Sequence, residues 1–97
     1  MVVFIGIAVP ALAHKVNIFA YVEKGMIFTE SYFPDGKKVE GGDVEVLDNA
    51  GKKLLSGKTD KDGLFSCPLP AQKEDLTIVI NASMGHKNSF LLKKSEM

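Results

Sequence analysis

The side chains with the most chemistry to offer are His14 and His86, the two histidines of the sequence. His14 directly follows Ala11-Leu12-Ala13. Small residues at the first and third of these positions form the A-x-A pattern that signal peptidase accepts. Cleavage after Ala13 makes His14 the mature N-terminus, with a free α-amine beside an imidazole. Those two nitrogens, with ordinary pKa values of ~8 and ~6.5, can chelate one ion through a six-membered ring. Neutral nitrogen donors suit Ni(II), Cu(II), Co(II) and Zn(II). His86, in the loop Ser83-Met84-Gly85-His86, offers a second imidazole and completes a three-nitrogen set. Met84 offers a thioether, a soft donor that favours Cu(I). Against this stands a plainer reading, in which His14 is a terminus and His86 closes a turn.

Other candidates are weaker. Asp60 and Asp62 resemble half of a calcium loop, but the distant bidentate Glu is not in place. The segment Thr59-Asp60-Lys61-Asp62-Gly63 reads as a tight turn. Cys67 is alone, which excludes a disulfide framework and a Cys-rich zinc site, and it reads as a small buried hydrophobe. Asn81-Ala82-Ser83 matches a glycosylation sequon but reads as a loop–strand junction. The pairs Lys52-Lys53 and Lys93-Lys94 read as charges that guard strand edges. Phe19, Tyr21 and Tyr32 could form an aromatic binding surface, but core or edge packing is the default reading. There is no nucleophile motif, phosphate loop or HExxH, so no enzyme is expected. The 12 basic and 12 acidic residues balance, so charge gives no general pull toward nucleic acid or an anionic membrane.

The elements that must position these residues are strands. Before them, Val2 to Val9 is an apolar run broken by Pro10, too short for a span of ~20 residues. It reads as the core of a signal peptide over residues 1–13, although no Lys or Arg precedes it. Residues 14–97 form the domain. Lys15 to Val22 alternates, with Val16, Ile18, Ala20 and Val22 on one face. Met26 to Phe33 is its hairpin partner across Glu23-Lys24-Gly25. Further strands are expected at Val44–Leu47, Lys53–Gly57, Leu64–Leu69, Leu76–Ala82 and Ser89–Leu92. Turn residues separate them, including Pro34-Asp35-Gly36 and Asp48-Asn49-Ala50-Gly51. Pro68 and Pro70 put the fifth strand at an edge.

This pattern predicts an all-β fold, a seven-stranded antiparallel β-sandwich of immunoglobulin-like or transthyretin-like type. Its expected core is Val16, Ile18, Val44, Val46, Phe65, Ile78, Ile80 and Phe90. If each strand runs opposite to the previous one, the N-terminus shares an end of the sandwich with three loops: Asp35 to Gly42, Thr59 to Asp62, and Ser83 to His86. His14 and His86 then meet at one end although they lie far apart in sequence.

Several segments resemble a bacterial family. They are His14-Lys15-Val16-Asn17-Ile18-Phe19-Ala20-Tyr21-Val22, Ser31-Tyr32-Phe33-Pro34-Asp35-Gly36, Gly57-Lys58-Thr59-Asp60 with Gly63 and Phe65, and Asn81-Ala82-Ser83-Met84-Gly85-His86-Lys87. The family is the exported accessory component (NikL-type) of energy-coupling-factor nickel and cobalt uptake transporters, and the resemblance covers most of residues 14–97. It implies a periplasmic or otherwise extracytoplasmic module. Such a module works beside a membrane permease subunit and cytoplasmic ATPases, with nickel(II) or cobalt(II) as the transported ion. The metal role attaches to His14 and His86 because they lie inside the matching segments. The chain departs from the family after Leu92, where no apolar run follows, and at its start, where no basic residue precedes the apolar segment. Two other readings stay open: an exported copper-binding domain that uses Met84, and a metal-free β-sandwich interaction module.

Overall fold

The structure is a computed structural model that describes residues 16–71 and 73–97. Seven strands run in order: β1 (Asn17–Glu23), β2 (Met26–Tyr32), β3 (Asp43–Leu47), β4 (Lys53–Lys58), β5 (Leu64–Pro68), β6 (Leu76–Asn81) and β7 (Lys87–Leu92). Among the described residues the only helical element is a 3-10 turn, Lys94–Glu96. The seven expected strands are all present, displaced by one or two residues at their ends. The largest extension is in β7, which starts at Lys87 because Lys87 and Asn88 pair with Asn81 and Ile80. The expected signal peptide lies outside the described residues. No helix among the described residues is long and apolar enough to cross a membrane.

The strands form two sheets, β1-β2-β5 and β4-β3-β6-β7. Every pairing is antiparallel. The connections β2–β3, β4–β5 and β5–β6 pass from one sheet to the other. β5 is an edge strand, as its prolines predict, and β4 and β7 are the edges of the second sheet. Lys53 and Lys58 charge the β4 edge and pair with Glu45 and Asp43 of β3. Lys93 and Lys94 lie just past the end of β7, the other edge of that sheet. Their backbone N–H groups donate to Glu96 and Asp75 carboxylates.

The core forms between the inner faces of the two sheets. Val16, Val44, Val46, Ile78 and Ile80 are buried as expected, whereas Ile18, Phe65 and Phe90 are half-buried and pack against that cluster. Ile27, Val39, Leu76 and Leu92 are buried as well. On β2 the usual polarity is inverted at four positions, although Ile27 is buried inward and Glu30 exposed outward. Thr29 and Ser31 point inward and are buried, while Phe28 and Tyr32 lie on the outer face.

The two ends of the sandwich differ. At one end, Leu69 N–H donates to the Gly25 carbonyl and Asn49 N–H to the Glu74 carboxylate. The other end gathers the β2–β3, β4–β5 and β6–β7 loops. Tyr32 pairs with Lys38 in an isolated bridge, and Val39 N–H donates to the Ser31 carbonyl. Thr59 ties the loops together: its backbone N–H donates to Gly42, and its hydroxyl donates to the Val39 carbonyl and accepts from Gly42 N–H. Gly63 has a positive φ of 75°, and its carbonyl accepts from Ser31 N–H. A Cβ there would collide with the Ser31 carbonyl.

Candidate metal centre

The β6–β7 loop is built on a tight turn. His86 N–H donates to the Ser83 carbonyl at 2.9 Å, and Ala82 N–H donates to the His86 carbonyl at 2.7 Å. The two central residues, Met84 and Gly85, have φ of 52° and 82°. Positive φ at both positions is what a hairpin turn of type I′ requires. Gly85 adopts it freely. Met84, and Ser83 at φ 80°, adopt it at a steric cost of roughly 1 kcal/mol each. Asn81 supports the turn, its side-chain oxygen accepting from Ser83 N–H. The sequon asparagine thus serves the turn.

The turn carries His86 inward. Its imidazole meets the Phe33 ring edge-on, with centroids 5.9 Å apart. Phe33 belongs to the β2–β3 loop, so this contact joins two of the three loops expected at one end. His86 Nδ1 is buried and has no hydrogen-bond partner among the described residues, a condition it shares with the Ser31 hydroxyl. Met84 is different. It is 91% exposed at the tip of the turn, with its thioether in solvent.

His14 lies outside the described residues. Val16, two residues later, is held by a side-chain hydrogen bond. Asn88 Nδ2 donates to the Val16 carbonyl at 3.0 Å, and Asn88 is two residues past His86. The chain therefore enters the sandwich at the end that holds His86, as strand parity predicts. Among the described residues no three His, Cys, Asp or Glu side chains come together as a metal-binding group.

The acids at this end serve the loops. Asp60 Oδ1 accepts from Leu64 N–H and Asp62 N–H, and these bonds hold its carboxyl below the ordinary carboxylate value. Asp35 Oδ1 accepts from Lys37 N–H. The tight-turn reading of residues 59–63 is therefore what the hydrogen bonds support. Cys67 faces the core from β5, and burial pushes its thiol pKa up, which suits a packing role. Phe19 and Tyr21, on the edge strand β1, and Tyr32 on β2 lie on the outer face of the β1-β2-β5 sheet and are exposed, so the core-packing reading does not hold for them. Sequence reasoning missed the structural part of Thr59. Its signal was a β-branched hydroxyl residue next to a turn, which carries no period.

Comparison with protein-family models, with curated proteins and with solved structures finds no match for this chain.

Proposed function

We propose that this chain is the extracytoplasmic accessory module of a nickel or cobalt uptake transporter, binding or presenting the divalent ion at the loop end of the sandwich. The observation that carries the reading is the buried Nδ1 of His86, which has no hydrogen-bond partner among the described residues. A buried imidazole nitrogen ordinarily finds a hydrogen bond. In its unprotonated form that nitrogen offers a lone pair at the end where the chain enters, which suits a metal ion.

In this reading the α-amine and imidazole of His14 grip the ion as a chelate, and His86 adds a third nitrogen. Three protein donors leave coordination positions open, through which a membrane permease subunit takes the ion onward. Removing the signal peptide is what creates the amine donor, so the site forms only after export. The resemblance of residues 14–22 and 81–87 to the nickel and cobalt accessory family supports the same assignment. The strand order agrees with an immunoglobulin-like arrangement in which the fourth strand has moved to the sheet of the third, sixth and seventh.

A second reading, an exported copper-binding domain, draws on Met84. A strained and solvent-exposed thioether beside a histidine suits Cu(I). One titration separates the two. The chain beginning at His14 is titrated with Ni(II), and with copper under oxidising and reducing conditions, alongside His86→Ala. One Ni(II) per chain, weakened several-fold by His86→Ala, supports the nickel reading. Preference for Cu(I) over Ni(II) supports the copper reading. Absence of binding by any ion overturns both.

A further inference from the structure

The outer face of the β1-β2-β5 sheet carries aromatic rings where a solvated sheet face ordinarily carries polar side chains. Phe19 is 48% exposed and Leu64 45%, and Tyr21 and Tyr32 are exposed beside them. The rings form a connected platform. Tyr21 and Phe28, paired across β1 and β2, stack at 5.4 Å with their planes 23° apart. Phe19 adjoins Tyr21 at 5.8 Å and meets Phe90 of β7 edge-on. The inversion on β2 sharpens the point. On one strand the hydroxyls of Thr29 and Ser31 are buried, while Tyr32 is exposed and Phe28 half-buried on the outer face.

Beside the stacked pair lies a groove of about 320 Å3, lined by Tyr21, Phe28, Glu30, Asp60, Leu64 and Ser66. Glu30 and Asp60 are its charged groups, and neither forms an ion pair among the described residues. The opposite sheet handles its acids differently: Asp43 and Glu45 are each paired with a lysine on its outer face. Asp60 has one oxygen committed to its own turn, which leaves Oδ2 for a ligand. Lys61 is next to it in the turn and helps keep it ionised.

Flat aromatic rings beside two unpaired carboxylates are complementary to a planar cation. We propose that this groove binds an arginine side chain from an extended segment of a partner protein. The guanidinium stacks on the Tyr21–Phe28 pair while its N–H groups reach Glu30 and Asp60. A quaternary ammonium needs rings that enclose it, and this platform is open. Lysine offers a point charge without a plane to stack. All twelve basic residues of this chain are lysines, so the arginine comes from a different protein and not from a second copy. Leu64, exposed at the groove wall, packs against the residue that flanks the arginine. The assignment is independent of any metal at the loop end.

The test follows backbone amide shifts of the full chain on titration with acetyl-Ala-Arg-Ala-amide. Parallel titrations use the Lys and Leu versions of the peptide and free arginine. The Arg peptide is expected to shift Phe28, Glu30, Leu64 and Ser66, to bind more tightly than the other three, and to weaken with added salt. Glu30→Gln, which leaves the fold untouched on an exposed face, is expected to weaken it about threefold. Four results overturn the proposal. They are equal binding of the Lys or Leu peptide, free arginine binding as tightly as the peptide, unchanged affinity in Glu30→Gln, and no shift at millimolar peptide. Shifts on simple dilution of the protein would assign the face to a second copy and overturn it too.

Discussion

The imidazole of His86 and the ring of Phe33 meet at 77° with centroids 5.9 Å apart. This edge-on contact is the bridge between the β6–β7 and β2–β3 loops, and it turns the histidine toward the protein. Aromatic contacts of this geometry are worth about 0.5–1.5 kcal/mol beyond the area they bury. Here the contact also sets a direction. With the imidazole against Phe33, Nδ1 is buried and has no hydrogen-bond partner among the described residues, at the end where Asn88 anchors the chain at Val16. Sandwich connectivity brings Val16, at the start of β1, and the loop that carries His86 to one end of the fold.

Ile78 sits on β6, flanked by β3 and β7, with 0% exposure. Ile78→Ala is expected to destabilise the fold by about 2–5 kcal/mol, from lost transfer energy and the cavity left behind. Urea unfolding followed by circular dichroism measures it. A change under 1 kcal/mol would mean that β6 is not at the centre of the core.

Met84 holds a left-handed backbone with its side chain in solvent. Met84→Gly relieves that strain and removes the thioether. Thermal melting is expected to show a gain of up to about 1 kcal/mol, reduced by the extra freedom glycine brings to the unfolded chain. Nickel affinity is expected to be unchanged. A large loss of nickel affinity would instead place the thioether among the ligands.

Asp60 stabilises its turn as a carboxylate. Its folded pKa is lowered, first by the Leu64 N–H and then by the Asp62 N–H. The contribution is therefore present above the unfolded value, near 3.8. It is lost as pH falls through the lower, folded value. Asp60→Asn keeps an oxygen acceptor but no charge, and is expected to flatten the acid limb of the stability–pH curve. Asp60→Ala also removes the acceptor, leaving two N–H groups without it, and is expected to be less stable than Asp60→Asn at neutral pH. Unfolding midpoints of the two variants at neutral and acid pH check both statements. An unchanged acid limb in Asp60→Asn would contradict them.

The strands were legible because period-two alternation and turn residues agree along most of the chain. β1, β3 and β6 show their inner faces in sequence, and Val16, Val44, Val46, Ile78 and Ile80 follow from that alone. The inner face of β2 was not legible. Thr29 and Ser31 point inward while Phe28 and Tyr32 point outward, so hydropathy points to the wrong face. Val39 was missed because it lies in a loop and is buried by long-range bonds, from Ser31 and Thr59, that no local pattern encodes. Of the candidate site, the shared end of the fold followed from antiparallel parity, which depends only on counting strands. The inward direction of His86 did not, because it depends on the tertiary contact with Phe33.

The central claim is that export creates the metal ligand. Calorimetric titration with Ni(II) compares the chain beginning at His14 with the same chain carrying one added N-terminal residue. The added residue moves the amine out of the chelate ring. One ion per chain is expected for the mature form, with affinity falling as pH drops below the amine value of ~8. Much weaker binding is expected for the extended form. Equal affinity of the two chains for Ni(II) would contradict the account.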